Sequence, residues 1–164
     1  MNQQSPPQEF QPVAGVLAVI LPGLGHFYLG HIRRGLGVLG GVMGLFLGGM
    51  FIGGIDVIDR QEDKWWFVLQ AGVGPIAFAV DAVHQKQFKI PDVQGGRVVR
   101  RTASPDPSDN PGDQPARNRK SLGRVNEVGS LYIALAGMIN AIAVIDALWN
   151  MPARRRREGD GGAL

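Results

Sequence analysis

Four residues with chemical capacity stand inside otherwise uncharged apolar stretches: His26, Asp81, Asn140 and Asp146. An ionisable group within an apolar span is costly and is by default a functional hypothesis. Histidine titrates near neutral pH, so an imidazole–carboxylate pair made from His26 and Asp81 would sense or pass protons. The structural alternative has a neutral His26 bonded to a backbone carbonyl freed by Pro22. In that reading Asp81 and Asp146 are end charges that reach headgroup water. Asn140 is expected to bond across helices, contributing roughly 0.6–2 kcal/mol. A metal site would need His26, His31, His84 and Asp81 together. Residues 26 and 31 do not share a helical face, so neither a metal nor any other cofactor is expected. No nucleophile elbow, phosphate loop, zinc-protease helix or working carboxylate pair is present, and the reading is not an enzyme.

These residues must be positioned by four apolar windows, Val13–Ile32, Leu36–Ile55, Trp65–Val83 and Val128–Trp149. Each approaches or exceeds the roughly 18–20 residues that cross a hydrocarbon core. A soluble helix of that length would keep a charged face, and these do not. The expected fold is an all-α membrane protein of about four transmembrane helices. Its first two form a tight antiparallel hairpin, and a disordered polar loop precedes the last. The chain has no cysteine, which excludes disulfides and thiolate sites. Met1–Pro12 lacks the basic start of a cleavable signal peptide.

In order, 1–12 reads as a disordered N-terminus and 13–83 as a three-helix membrane region. Residues 84–126 read as a basic, largely disordered loop, 127–150 as the fourth span and 151–164 as a basic, Gly-rich tail. Pro22 and Gly72-Val-Gly74-Pro75 predict kinks in the first and third segments. Arg33-Arg34-Gly35 leaves room only for a tight turn. Trp65 and Trp66 read as interface anchors. The middle of the polar loop, Thr102 to Lys120, cannot bury a core. Phe88-Lys-Ile and Arg97-Val-Val read either as bilayer contacts or as a short strand. Asn126 is placed as the N-cap of segment four.

Nine glycines fall between Gly35 and Gly54. Gly40, Gly44 and Gly48 recur every four residues, with Gly37/Gly41 and Gly49/Gly53 as two further pairs, a glycine-zipper pattern that lets another helix approach closely. The expected partners are the bilayer, anionic lipid at the basic loop, and a homo- or hetero-oligomer through this face; nucleic acid is not expected. With the N-terminus outside, eleven of the seventeen Lys and Arg residues fall inside, as the positive-inside rule requires. Arg154–Arg157 then fall outside, against the rule. Either segment four is re-entrant, or the tail is an exception.

Pro22-Gly23-Leu-Gly25-His26-Phe-Tyr28-Leu-Gly30, followed by Arg33, Arg34, Gly35 and an apolar helix, resembles the TM2-domain proteins. It also looks like related small bacterial membrane proteins of uncharacterised function. The likeness covers about residues 13–55, with Trp66 and Asp81 resembling the Trp and Asp that close the pattern. The chain departs from it in lacking an Arg between His26 and Phe27, and in adding segment four. The resemblance implies a multi-pass protein of the bacterial cytoplasmic membrane. Two functions are expected from different classes: a helix-packing or assembly component, or a small transporter, channel or pH sensor using His26 and Asp81.

Overall fold

A computed structural model of the chain describes residues 9–60, 64–103 and 123–150. The expectations of disorder for most of the N-terminus and for the middle of the polar loop, and the reading of the tail, lie outside those residues. The described chain is mostly helical. The helices are α1 (Pro12–Ile20), α2 (Leu24–Tyr28), α3 (Ile32–Gly53), α4 (Lys64–Gln70), α5 (Pro75–Val83) and α6 (Gly123–Leu148). A 3-10 turn at Ala71–Val73 extends α4, and another follows α3 at Ile55–Val57.

Among the described residues two helices are long and apolar enough to cross a membrane, within α3 and α6, rather than four. Their 22 and 26 residues span about 33 and 39 Å at 1.5 Å per residue. They run antiparallel along their lengths. Gly49 and Gly53 of α3 meet Gly129 of α6 near one end, and Arg34 meets Asp146 near the other.

Segments one and three are each folded back on themselves, and the cause is proline. Leu21, preceding Pro22, adopts an extended conformation (φ −144°, ψ 126°) that ends α1, as the proline ring imposes on its neighbour. The chain turns at Gly23, whose φ of 84° is open to glycine and closed to most side chains. In segment three, Gly74 makes the same reversal ahead of Pro75, which starts α5. The first hairpin, α1–α2, has both outer ends beside the C-terminal end of α6, where Gln11 N–H donates to Leu148 O at 2.7 Å. The second, α4–α5, has its outer ends beside the C-terminal end of α3, where Asp81 accepts from Arg60 N–H at 3.1 Å. The two tips meet inside, with Gly74 against the Val19 carbonyl. The chain thus repeats one plan, a helical hairpin followed by a long helix, with opposite directions.

Several local expectations change. The tight turn is Leu29–His31, with Gly30 at φ 81°, while Arg33 and Arg34 lie in the first turn of α3. α6 already runs from Gly123, so Asn126 is inside the helix rather than its cap. Residues 84–101 of the expected polar loop hold a π-helical turn (His84–Phe88) and an antiparallel hairpin, β1 (Ile90–Gln94) with β2 (Arg97–Arg101), so that of the two alternatives open for Arg97-Val-Val the strand is the one present. Gly95 and Gly96 both have positive φ, the requirement of a tight two-residue hairpin turn. The fold is therefore not purely α.

Interior glycines set the helix contacts. A methyl group on Gly137 would overlap the Leu69 carbonyl where α4 crosses α6. Gly137→Ala is expected to lower stability by about 1–3 kcal/mol through overpacking, read as a lower midpoint of thermal unfolding in mild detergent. An unchanged midpoint would mean that this crossing relaxes freely.

Candidate functional site

Polar side chains are gathered at three levels between the long helices. At the first, α2 presents His26, 1 % exposed. Its Nε2–H donates to Asp146 Oδ2 at 2.8 Å. Arg34 Nη1 approaches the same oxygen at 3.7 Å, and Asn150 donates to it at 3.3 Å. The Asp146 side chain is half exposed. His26 therefore pairs with Asp146 and not with Asp81, which lies at the opposite end of the long helices. It bonds no freed carbonyl either, and its Nδ1 has no partner among the described residues.

At the second level, Asn140 is fully buried where the two hairpin tips meet. Its Nδ2 donates to Gly72 O at 2.9 Å and to Ala18 O at 3.4 Å. Both carbonyls are left over by proline. In an α-helix Ala18 O would accept from the N–H of residue 22, and in the 3-10 turn Gly72 O would accept from residue 75. Pro22 and Pro75 have no N–H. One amide thus serves the broken ends of both hairpins. The carbonyl freed by Pro22 finds this asparagine instead of His26.

The third level joins α5, the π-helical turn and the segment after α3. Asp81 is 1 % exposed, so it is not a solvated end charge. It takes Arg60 Nε at 3.1 Å and Gln85 Nε2 at 3.2 Å. Gln85 Nε2 also reaches Asp59 Oδ1 at 2.8 Å, and Lys89 Nζ sits on the other Asp59 oxygen. His84 Nδ1–H donates to Ile58 O at 3.2 Å, and its Nε2 is 3.5 Å from Asp56 Oδ1. Thr102 donates to that Asp56 oxygen at 2.9 Å. Asp56, Asp59, Gln85 and Lys89 were not singled out by sequence reasoning. A signal was present: residues 81, 84 and 85 stand at i, i+3 and i+4, the spacing that places them on one helical face. Between the second and third levels, Gln70 Nε2 donates to Val57 O at 2.9 Å, and Ser130 reaches the same carbonyl at 3.3 Å. Among the described residues no group of histidines and carboxylates is arranged to hold a metal ion.

The hairpin motif divides by role. Pro22 and Gly23 make the tip, and Gly30 makes the turn into α3. Gly25 and Gly35 are contact points, since a methyl at Gly25 would overlap the Ala14 carbonyl and one at Gly35 would press on the Phe27 ring at 2.6 Å. Tyr28, Arg33 and Arg34 are exposed. Of the glycines expected to pack helices, Gly49 and Gly53 do so against α6, and the others do not. At Gly37, Gly40, Gly41, Gly44 and Gly48 a methyl would meet nothing within 4 Å. Among the described residues no helix covers that face. Helix contacts inside the chain use Gly49 and Gly53 together with Gly72, Gly129 and Gly137.

No curated protein and no solved structure matches the chain. A family model does match, over residues 13–158, and the chain belongs to that family of unknown function, DUF6677.

Proposed function

We propose that this is a multi-pass integral membrane protein of the bacterial cytoplasmic membrane, in which α3 and α6 cross the bilayer. The α1–α2 and α4–α5 hairpins dip in from opposite faces. Supporting this reading, the apolar windows of α3 and α6 are only 22 % and 44 % buried, whereas the core helix of a soluble protein is mostly covered. The short helices also turn apolar side chains outward, among them Val16, Ile20, Val68 and Phe78. Exposed apolar surface on this scale marks a lipid or protein contact. Exposed aromatics stand at both ends, Tyr28 and Trp149 at one and Trp65 and Trp66 at the other, as interfacial belts do.

Within that membrane the protein acts as an assembly component, docking the outer glycine face of α3 on another transmembrane helix, with a second copy of the chain as the simplest partner. One observation carries this. Gly49, Gly53, Gly72, Gly129 and Gly137 each close a gap that a methyl would block, while Gly37, Gly40, Gly41, Gly44 and Gly48 close none. Glycine costs helix stability, about 1 kcal/mol relative to alanine in water, so a run of uncovered glycines implies a helix brought up from outside the chain. Gly44→Leu is expected to leave the fold intact, since its side chain enters open space, and to abolish crosslinked complexes in mild detergent. Complexes that persist in Gly44→Leu at the wild-type level would remove this reading.

Orientation follows from the charges. With two crossings, Arg33 and Arg34 share a face with Gln11 and Asn150, and the opposite face receives eleven of the seventeen Lys and Arg residues, ten between α3 and α6 and Arg124 in the first turn of α6. The positive-inside rule then places the β-hairpin face inside and the chain ends outside. Exposed Lys86, Arg97 and Arg100 on that inner face suit anionic headgroups, at about 1 kcal/mol per residue.

A further inference from the structure

We propose that Lys86 and Arg100 form a seat for the phosphate of one anionic phospholipid of the inner leaflet, with Val83 and Val98 against the apolar part of the same lipid. The inference rests on the inner-face placement given above. It goes beyond a general attraction of that face for headgroups, because it assigns the grip to one side of the β-hairpin.

The first support is which cations are left to bind a ligand. Arg60 is taken by Asp81, Lys89 by Asp59 and Arg101 by Asp92, so each of these charges is already neutralised within the fold. Lys86 and Arg100 are exposed, and neither meets a carboxylate among the described residues.

The second support is how Arg100 is held. Its Nη1 donates to Gln85 O at 3.0 Å and reaches Lys86 O at 3.5 Å, as basic side chains do at the last carbonyls of a helical turn. These contacts fix the guanidinium beside the backbone of residue 86 and occupy one nitrogen. A guanidinium carries five N–H donors, so the Nε–H and both Nη2 hydrogens remain for an external acceptor. Two parallel N–H bonds from that edge match two oxygens of a phosphate. An arginine fixed before its ligand arrives loses less freedom on binding. Lys86 adds a point charge from the very residue whose carbonyl orients the arginine.

The third support is the apolar surroundings, which favour a lipid over a soluble anion. Successive side chains of a strand alternate between faces, so Val98 and Arg100 share one face of β2 and Arg97 and Arg101 stand on the other. Val98 is 73 % exposed, and Pro91, the cross-strand neighbour of Arg100, is exposed too. Asp92 pairs with Arg101 on the opposite face, which leaves the Val98–Arg100 side without a carboxylate. Exposed Val83, the last residue of α5, stands three residues before Lys86, roughly 4.5 Å along the axis at 1.5 Å per residue. The seat is thus cationic at one level and apolar beside it and toward the bilayer. A free phosphate has no use for exposed valines, whereas a phospholipid joins its phosphate to glycerol and acyl chains. With no carboxylate on that side to take an ammonium group, the seat selects phosphatidylglycerol over phosphatidylcholine.

The test counts lipid adducts of the full chain by native mass spectrometry from mild detergent, with either lipid added. Wild type is expected to take one phosphatidylglycerol about twentyfold more tightly than phosphatidylcholine. Lys86→Gln, whose side chain makes no hydrogen bond or ion pair among the described residues, is expected to lose about fivefold of that preference, the equivalent of about 1 kcal/mol for one basic residue near the surface. Arg100→Gln is expected to lose at least as much, and Arg100→Lys to recover only part, because it restores the charge without the fork. Arg97→Gln, on the other face of the hairpin, is expected to stay within about twofold of wild type. If Arg97→Gln falls as far as Lys86→Gln and Arg100→Gln, the attraction is diffuse and there is no seat. Equal affinity for the two lipids overturns the proposal, as does displacement of phosphatidylglycerol by millimolar inorganic phosphate at constant ionic strength. Polyglutamate that binds in place of the lipid, with the same loss in Lys86→Gln, would reassign these residues to an acidic protein partner. The placement is read separately. The chain has no cysteine, so Val98→Cys is expected to react with a membrane-impermeant maleimide only after intact spheroplasts are opened. Reaction from outside overturns the inner-leaflet assignment, whereas loss of the lipid preference alone leaves the placement and the glycine face standing.

Discussion

Replacing Lys89 with methionine will destabilise the chain by about 3–5 kcal/mol, the cost of breaking a buried ion pair by removing one partner. The Lys89 and Asp59 side chains are 0 % and 2 % exposed, so neither charge can turn to water without local unfolding. The surroundings make the loss worse. Gln85 donates from one nitrogen to both Asp59 and Asp81, which holds two buried carboxylates around a single amide. Removing the lysine cation leaves their mutual repulsion less compensated. Methionine fills nearly the lysine volume, so a packing defect does not account for the effect. Unfolding in mild detergent, followed by circular dichroism against added sodium dodecyl sulfate, measures it. The double variant Lys89→Met/Asp59→Leu is expected to recover most of the loss, because replacing both partners with apolar groups is often neutral or better. A single variant within about 0.5 kcal/mol of wild type, the ordinary range for a surface change, would show that the pair contributes no net stability.

The same residues show what a linear reading could and could not see. The two long helices are legible as uninterrupted apolar runs, and Pro22 and Pro75 are legible as kinks. What a break does next is not written beside it. A proline-bent span and a span folded back to its own side have the same hydropathy, because both bury the same residues in the same solvent. The difference is decided by whether a distant group satisfies the carbonyl that proline strands, and that group, Asn140, is 122 residues from Ala18. Pairing suffered for the same reason. A His26–Asp81 pair requires that segments one and three both cross. Once each folds back, Asp81 moves to the far end and Asp146 takes its place. The third-level cluster was obscured by its charges, since Asp56, Asp59 and Lys89 look like a solvated connection until their mutual neutralisation lets them be buried. The glycines were read by spacing alone, which separates a helix face from its opposite but not a covered face from an open one.

Asn140→Leu will cost about 2–6 kcal/mol and loosen both hairpins together. Leucine matches asparagine in reach but offers no donor, so the Ala18 and Gly72 carbonyls lose their shared partner, at roughly 1–3 kcal/mol for each acceptor stranded in the interior. Neither can recover a bond within its own helix, because Pro22 and Pro75 removed the N–H groups that would have served. Asn140→Asp is the sharper comparison. It keeps the shape and replaces the donating amide with an accepting carboxylate aimed at two carbonyl oxygens. It is therefore expected to be worse than leucine at neutral pH, and to improve in acid when the protonated form regains one donor. A core that responded only to volume would rank the two in the opposite order. Proteolysis resolves where the damage goes. If one amide fastens both tips, cleavage should rise in both hairpins at once, near Leu21 and near Gly74, with α3 and α6 still protected. If only one hairpin becomes sensitive, the two halves are held independently and Asn140 is not their common fastening. The double role is what makes the position irreplaceable: the sequence breaks two helices with two prolines and closes both wounds with a single side chain.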